Sequence, residues 1–269
     1  MQAKTYETPS DIQIDIRIPA GSVVVRAKDV TTTTLEISGE RDPDDLTIRF
    51  DSEDNGHRLV VEQRKKLRMF GLSRGLDVHL TVPHRAVISV QGGSTELSVE
   101  GTVGAVTFNS ASGDATLGDV TGDASVKVAS GDLSIGNVGG SLTFHSASGD
   151  VEAQSAAGQF IARTASGDVE VHRVITKVNV TTVSGDVNLR KFVAGEASLQ
   201  AVSGDIEVGV AQGSQIFLDL SSISGSTQSD LPLSDIPESE KTHSEGGGEG
   251  ALKAATVSGD IRVRHSGVR

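Results

Sequence analysis

Apolar side chains recur through the middle of the chain in alternating triplets, two triplets to every 18 residues. Counted forward from the Asp of a repeated Ser-Gly-Asp, they fall at +1, +3, +6, +10, +12 and +15. After Asp168 these are Val169, Val171, Val174, Val178, Val180 and Val183; after Asp132 they are Leu133, Ile135, Val138, Leu142, Phe144 and Ala147. Alternation within a triplet is the period of a β-strand, whose side chains point to opposite faces by turns. Each unit therefore predicts two short strands, with Gly122, Gly140 and Gly158 at the second corner. Six small apolar side chains cannot enclose a core alone, so successive units must stack and cover one another.

The punctuation between units is Ser112-Gly113-Asp114, Ser130-Gly131-Asp132, Ser148-Gly149-Asp150, Ser166-Gly167-Asp168 and Ser184-Gly185-Asp186, each 18 residues after the last. Ser203-Gly204-Asp205 follows at 19, and Ser258-Gly259-Asp260 comes after an insertion. The pattern predicts an all-β, single-stranded β-helix, a β-solenoid with one 18-residue rung per unit. Gly makes the bend, Ser and Asp satisfy turn amides, and the next apolar residue enters the core.

Residues 1–90 carry alternating strands without that spacing, such as Ile12, Ile14, Ile16, Ile18 and Leu76, Val78, Leu80, Val82. We read them as an irregular β region that caps the N-terminal end, with a separate small sandwich as the alternative. The solenoid runs over 91–226, with Ser94-Thr95-Glu96 as a degenerate first rung and Ser224-Gly225-Ser226 as a unit that has lost its Asp. Residues 227–250 hold Pro232, Pro237, a Gly246-Gly247-Gly248 run and six acids against Lys241, which reads as an acidic flexible loop. Residues 251–269 resume the motif as a closing rung.

Composition agrees, since 31 Gly, 3% aromatic residues and no Trp suit many short strands joined by tight turns. A net charge of -12 argues against a general nucleic-acid binder, which needs clustered Lys and Arg. With no Cys there is no disulfide or thiolate metal site. The start, Met1-Gln2-Ala3-Lys4-Thr5-Tyr6, has no apolar run after its Lys, and about 18 consecutive apolar residues occur nowhere. As written, the chain is expected to be cytoplasmic.

The Asp column is the first candidate for chemistry, because two unit charges about 4.8 Å apart in water repel by roughly 0.9 kcal/mol. Either cations lie along it or amides occupy it. A calcium roll also has two nonapeptides per turn, but its Gly-Gly-x-Gly-x-Asp pattern has glycines that are missing here, so no metal is expected. The seven His residues, at 57, 79, 84, 145, 172, 243 and 265, show no ligand spacing, and no His recurs beside the repeated Ser. No catalytic residue and no cofactor are assigned. One basic patch, Arg64, Lys65, Lys66, Arg68, Met69 and Phe70, flanked by Arg58 and Arg74, mixes cations with apolar residues and is the candidate docking surface for a protein or an anionic membrane.

Ile16-Arg17-Ile18-Pro19-Ala20-Gly21, Leu80-Thr81-Val82-Pro83, the Ser-Gly-Asp rungs and Thr256-Val257-Ser258-Gly259-Asp260-Ile261 together resemble a bacterial family of β-strand-repeat proteins. That family is often labelled "putative adhesin" and grouped with the toastrack domains of envelope-stress systems; the likeness spans nearly the whole chain and fits cytosolic actinobacterial versions. The resemblance implies a β-helix with no known catalytic residues, in proteins proposed as sensing or assembly modules. The expected function is a non-enzymatic scaffold that binds an unidentified protein partner, with self-association through solenoid ends a further expectation. The alternative is a β-helix polysaccharide lyase or hydrolase, for which no acid and base stand out by position.

Overall fold

The structure is a computed structural model and describes residues 2–39, 46–53, 56–63, 75–231 and 248–266. Among these residues every regular element is a β-strand. The chain divides into two compact units, residues 1–149 and 150–269, each built on the same rung.

In the first unit, strand Ile12–Lys28 runs parallel to strand Val87–Val103, with Ile14 on Ile88, Ile16 on Val90, Val23 on Leu97 and Val25 on Val99. Both strands bend in the middle, so each supplies both faces of a rung. Strands Ala105–Ser112 and Ala124–Ser130 continue one face, and Ala115–Val120 and Leu133–Val138 the other. The parallel ladder thus begins at Ile12. At its bend Ala20, Gly21 and Ser22 lie beside Ser94, Thr95 and Glu96, and Gly21 has φ +128°. Ala20-Gly21-Ser22-Val23-Val24-Val25 is therefore a worn copy of Ser-Gly-Asp-apolar-x-apolar.

The same unit closes its N-terminal end with antiparallel strands. Strand Gly56–Gln63 extends one face of Ile12–Lys28 in parallel and then pairs antiparallel with Leu46–Glu53. On the other face strand Leu76–Pro83 pairs antiparallel with Thr32–Ser38, which pairs antiparallel with Gln2–Glu7. Tyr6 and Phe50 stack with ring centroids 4.5 Å apart and tie the two closures together.

In the second unit one face runs from Phe160–Ser166 to Lys177–Ser184 to Gly195–Ser203, and the other from Val151–Ala156 to Val169–Val174 to Val187–Phe192 to Ile206–Val210. The next rung in space is not the next in sequence. Ser203 lies on Ser258, and Ser258 on Ser224, so the returning chain, Glu249–Ser258 and Ile261–His265, is inserted beneath Gln215–Ser224 and Thr227–Ser229. The expectation that residues 251–269 close the stack is corrected: among the described residues, Glu249–Ser258 and Ile261–His265 make the penultimate rung. The inserted rung contributes Leu252, Ala254, Ile261 and Val263, all fully buried, whereas the corresponding Leu218 and Leu220 of the outer strand remain half-exposed.

Parallel, in-register stacking sorts the core into columns of like residues. In the first unit one column reads Val90, Phe108, Val126, Phe144, so large and small side chains alternate and interdigitate. In the second unit a column reads Phe160, Val178, Ala197, Leu252.

One predicted column is not in the core. The position before each Ser-Gly, +15 in the 18-residue units, is exposed throughout, with Val183 at 51% and its counterpart Val202 at 48%, while the preceding residue, Thr182 or Ala201, is buried. The nine-residue sub-period fails because the half-rungs differ. The second half alternates inward at +10, +12 and +14, whereas in the first the third inward place comes at +6 and not at +5, as at Val187, Leu189 and Phe192. A bulge moves the third inward side chain one place along.

The corner tolerates only Gly, because each corner sits directly on the one below. At Gly185 φ is +151° and a Cβ would lie 2.1 Å from the carbonyl oxygen of Gly167. Gly185→Ala is expected to destabilise the fold by about 1–3 kcal/mol through strain and collision, whereas Ser184→Ala at the exposed neighbouring position stays within about 0.5 kcal/mol. Chemical denaturation midpoints of the two variants check the contrast.

Candidate functional site

The Ser-Gly-Asp corners form an edge column whose hydroxyls and carboxylates are exposed for most rungs. Within each unit the corner carboxylates accept hydrogen bonds through Oδ1, not from an amide of their own turn but from the backbone N–H of the residue one rung on. In the first unit the amide of Asp132 donates to Asp114 at 3.0 Å. In the second, Asp168 donates to Asp150, Asp186 to Asp168, Asp205 to Asp186 and Asp260 to Asp205, each at 2.8 Å. These charge-assisted bonds offset the repulsion expected along a row of carboxylates.

The relay ends at the outermost rung, where the Ser226 amide and hydroxyl donate to Asp260 at 2.9 and 3.0 Å. These bonds, the backbone one first, hold the Asp260 carboxyl below the usual carboxylate range, with Arg262 adding a smaller pull in the same direction. The repeated serines contribute less. Hydroxyls two residues before them do more: Ser110 donates to the Ser112 carbonyl at 2.7 Å, and Thr164 to that of Ser166 at 3.1 Å.

Among the described residues no group of three or more His, Asp or Glu is placed to hold a metal ion. His172 Nε2 lies 3.2 Å from Glu170 and 3.6 Å from Glu152, and Arg190 also pairs with Glu170, so these carboxylates belong to a surface ion-pair cluster. The candidate docking residues Arg64, Lys65, Lys66, Arg68, Met69 and Phe70 lie outside the described residues, as does most of the acidic loop. Arg58, at the margin of the basic patch, is engaged elsewhere: it holds Asp15 at 2.6 Å.

The structure draws attention instead to the outer face of the second unit, on the four strands Lys177–Ser184, Gly195–Ser203, Glu249–Ser258 and Gln215–Ser224. A shallow groove of about 400 Å³ crosses them. Ala251 and Ser198 form its low floor, Phe217 stands on one side 73% exposed, and the ion pairs Lys177–Glu196 (3.4 Å) and Lys253–Asp219 (3.2 Å) flank it. Further along the same strands the exposed column before each Ser-Gly reads Val183, Val202, Val257 and then Ile223, the last 79% exposed. Sequence reading missed this column because it assigned +15 to the core. The signal was present in the position before each Ser-Gly, where Ala111, Ala129, Ala147 and Ala165 give way to Val183, Val202, Val257 and Ile223.

The depressed Asp260 carboxyl sets a pH dependence for the outer rung. A carboxyl held lower in the folded state than in the unfolded one adds stability that is full above the unfolded pKa and lost as pH falls through the folded value. Protection of the Ser226 amide, followed by hydrogen exchange, is expected to fall on acidification through and below the ordinary carboxylate range. Asp260→Asn, which keeps an acceptor but cannot titrate, should remove that acid dependence.

The sequence profile of the family described as Toastrack DUF4097 matches residues 12–264. No curated protein matches significantly. Similar solved structures include a putative adhesin from Parabacteroides distasonis ATCC 8503, at 11% identity and TM-score 0.47, covering 97% of this chain and 96% of that one. A putative lipid binding protein from the same organism is similar at 13% identity and TM-score 0.43, with the same coverages of 97% and 96%. A putative cell adhesion protein from Clostridium sporogenes ATCC 15579 is similar at 8% identity and TM-score 0.25, covering 98% of this chain and 99% of that one.

Proposed function

The chain belongs to the Toastrack DUF4097 family, and within that fold we propose that it acts as a non-enzymatic β-solenoid scaffold whose outer face binds a protein partner. The observation that carries this reading is the column Val183, Val202 and Val257 in the second unit, each between 44% and 51% exposed. Isolated exposed apolar residues are ordinary, but a contiguous row on a flat strand face is the kind of patch that marks protein association. The row sits on a rigid ladder, so little ordering is needed when a partner binds.

The chemistry of the adjoining groove supports binding over catalysis. A glycan hydrolase needs one carboxyl free to give a proton and a second free to attack or to activate water. Here Glu196 and Asp219, the carboxylates of the groove, are each paired with a lysine. Sensing and assembly modules work through such surfaces, and the family resemblance implies roles of that kind.

A photo-crosslinking side chain at position 202 in the native cell is expected to trap a protein other than a second copy of this chain. The variant Val202→Glu/Val257→Glu, which puts two charges on the column, should lose the partner while keeping its far-UV circular dichroism spectrum and denaturation midpoint. Capture of the same partner at undiminished yield by the charged variant removes the column from the interface. Release of reducing ends from a panel of polysaccharides would replace the scaffold reading with a catalytic one.

A further inference from the structure

The outermost strand of the second unit, Gln215–Ser224, pairs on one side with Glu249–Ser258, and among the described residues no strand pairs with its other side. The amide of Gln215 donates to the carbonyl of Gly248 at 2.9 Å, so from Gln215 to Ser221 the odd-numbered residues direct their backbone groups inward to the stack; at the corner the alternation shifts and the Ser224 carbonyl accepts from Gly259. By the alternation of a strand, the N–H and C=O groups of Ile216, Leu218, Leu220 and Ser222 point to the open side. The side chains of Ile216, Leu218 and Leu220 are only half-buried, though the rung beneath fully buries Leu252 and Ala254 in the same columns.

Other outer strands carry protection that this one lacks. In the first unit Gln2–Glu7 presents Lys4 and Glu7, and Leu46–Glu53 presents Arg49 and Asp51, all exposed. Charge on an edge strand discourages pairing with another chain. Gln215–Ser224 has no Pro and no cation, and its one acid, Asp219, is held by Lys253 at 3.2 Å. It also bears Phe217 and Ile223, at 73% and 79% exposure the two most exposed large apolar residues described.

We infer that this strand pairs antiparallel with its own copy, giving a two-fold symmetric dimer centred on Leu220. Self-pairing must keep inward side chains on inward ones, which limits the registers. Centred on Asp219, the strand would set two carboxylates directly opposite each other, an unfavourable cross-strand pair. Centred on Leu218, it would set Phe217 against Asp219. Centred on Leu220, it sets Phe217 against the partner's Ile223, and Ile223 against the partner's Phe217, while Asp219 meets Ser221 and Leu220 meets itself. This register covers both exposed apolar side chains, caps the half-open columns, and bonds the free amides of Leu218, Leu220 and Ser222.

The symmetric arrangement also follows from how the rungs end. Continued parallel stacking would need a carboxylate to receive the next corner amide, and Ser226 stands where the Asp of that relay would be. A symmetric pair needs no further relay and closes after two copies.

The register has a geometric signature. Leu220 directs its backbone groups to the partner, so Phe217 and Ile223 form a non-hydrogen-bonded cross-strand pair, with Cα atoms about 4.5 Å apart. That separation suits a disulfide, whose Cα atoms lie roughly 4.4–6.8 Å apart. Within one chain the two positions are six residues apart, about 20 Å along a strand, too far to bridge.

The chain has no native Cys, so the test is unambiguous. The wild-type protein is expected to sediment as a dimer that dissociates on dilution, and Leu220→Lys to sediment as a folded monomer. Under mild oxidation the variant F217C/I223C should run as a covalent dimer on a non-reducing gel, whereas F217C alone and I223C alone should remain monomeric. A monomer across the wild-type dilution series overturns the proposal. So does cross-linking of either single variant as readily as the double one, which would mean another register. These readouts are taken on the purified chain with no partner present, so failure of the dimer and failure of the partner-binding column are distinguishable.

Discussion

Rung-to-rung hydrogen bonding in strict register is the constraint on which the remaining features depend. Because each strand pairs parallel with its equivalent in the next rung, a residue type that suits one level is repeated at the next, and core columns such as Val90, Phe108, Val126 form without long-range design. Register also dictates the corners. Two backbones approach so closely at Gly167 and Gly185 that a single methyl group has no room. The carboxylate relay follows from the same spacing, since an Asp side chain reaches one rung and no farther.

A stack of this kind has no intrinsic length, so its ends need separate solutions. The first unit turns to antiparallel pairing on both faces and puts charge on the outermost strands. The second unit folds a late segment back inside an earlier one. The strand left outside has half-buried inward residues, a Ser in the last Asp place, and apolar side chains directed to solvent. The repeat supplies rigidity and a flat face, and association chemistry concentrates where the repeat is interrupted.

Negative charge is distributed by the same logic. A ladder of carboxylates at rung spacing looks like a cation site in a list of residues. In the folded chain Asp114, Asp150, Asp168, Asp186, Asp205 and Asp260 each receive an amide hydrogen from the next corner, so the column holds the corners together. Elsewhere on the second unit carboxylates are matched locally, Glu170 by His172 and Arg190, Glu196 by Lys177, Asp219 by Lys253.

The 18-residue period, the Gly at each corner and the inward places at +1, +3, +6, +10 and +12 were legible in the residues, because local periodicity and rung stacking impose the same pattern. A worn rung such as Ala20-Gly21-Ser22 was legible in principle, though 74 residues separate Ile14 from the Ile88 it lies beside. Other features were decided only by tertiary structure. Val183 and Val202 are as apolar as any core residue, and the plain alternation of the second half-rung turns them outward, because it lacks the extra residue that shifts the third inward place of the first. The rank of Glu249–Ser258 beneath Gln215–Ser224 was equally hidden, because register specifies which residues share a column and says nothing about the order in which distant segments take their places.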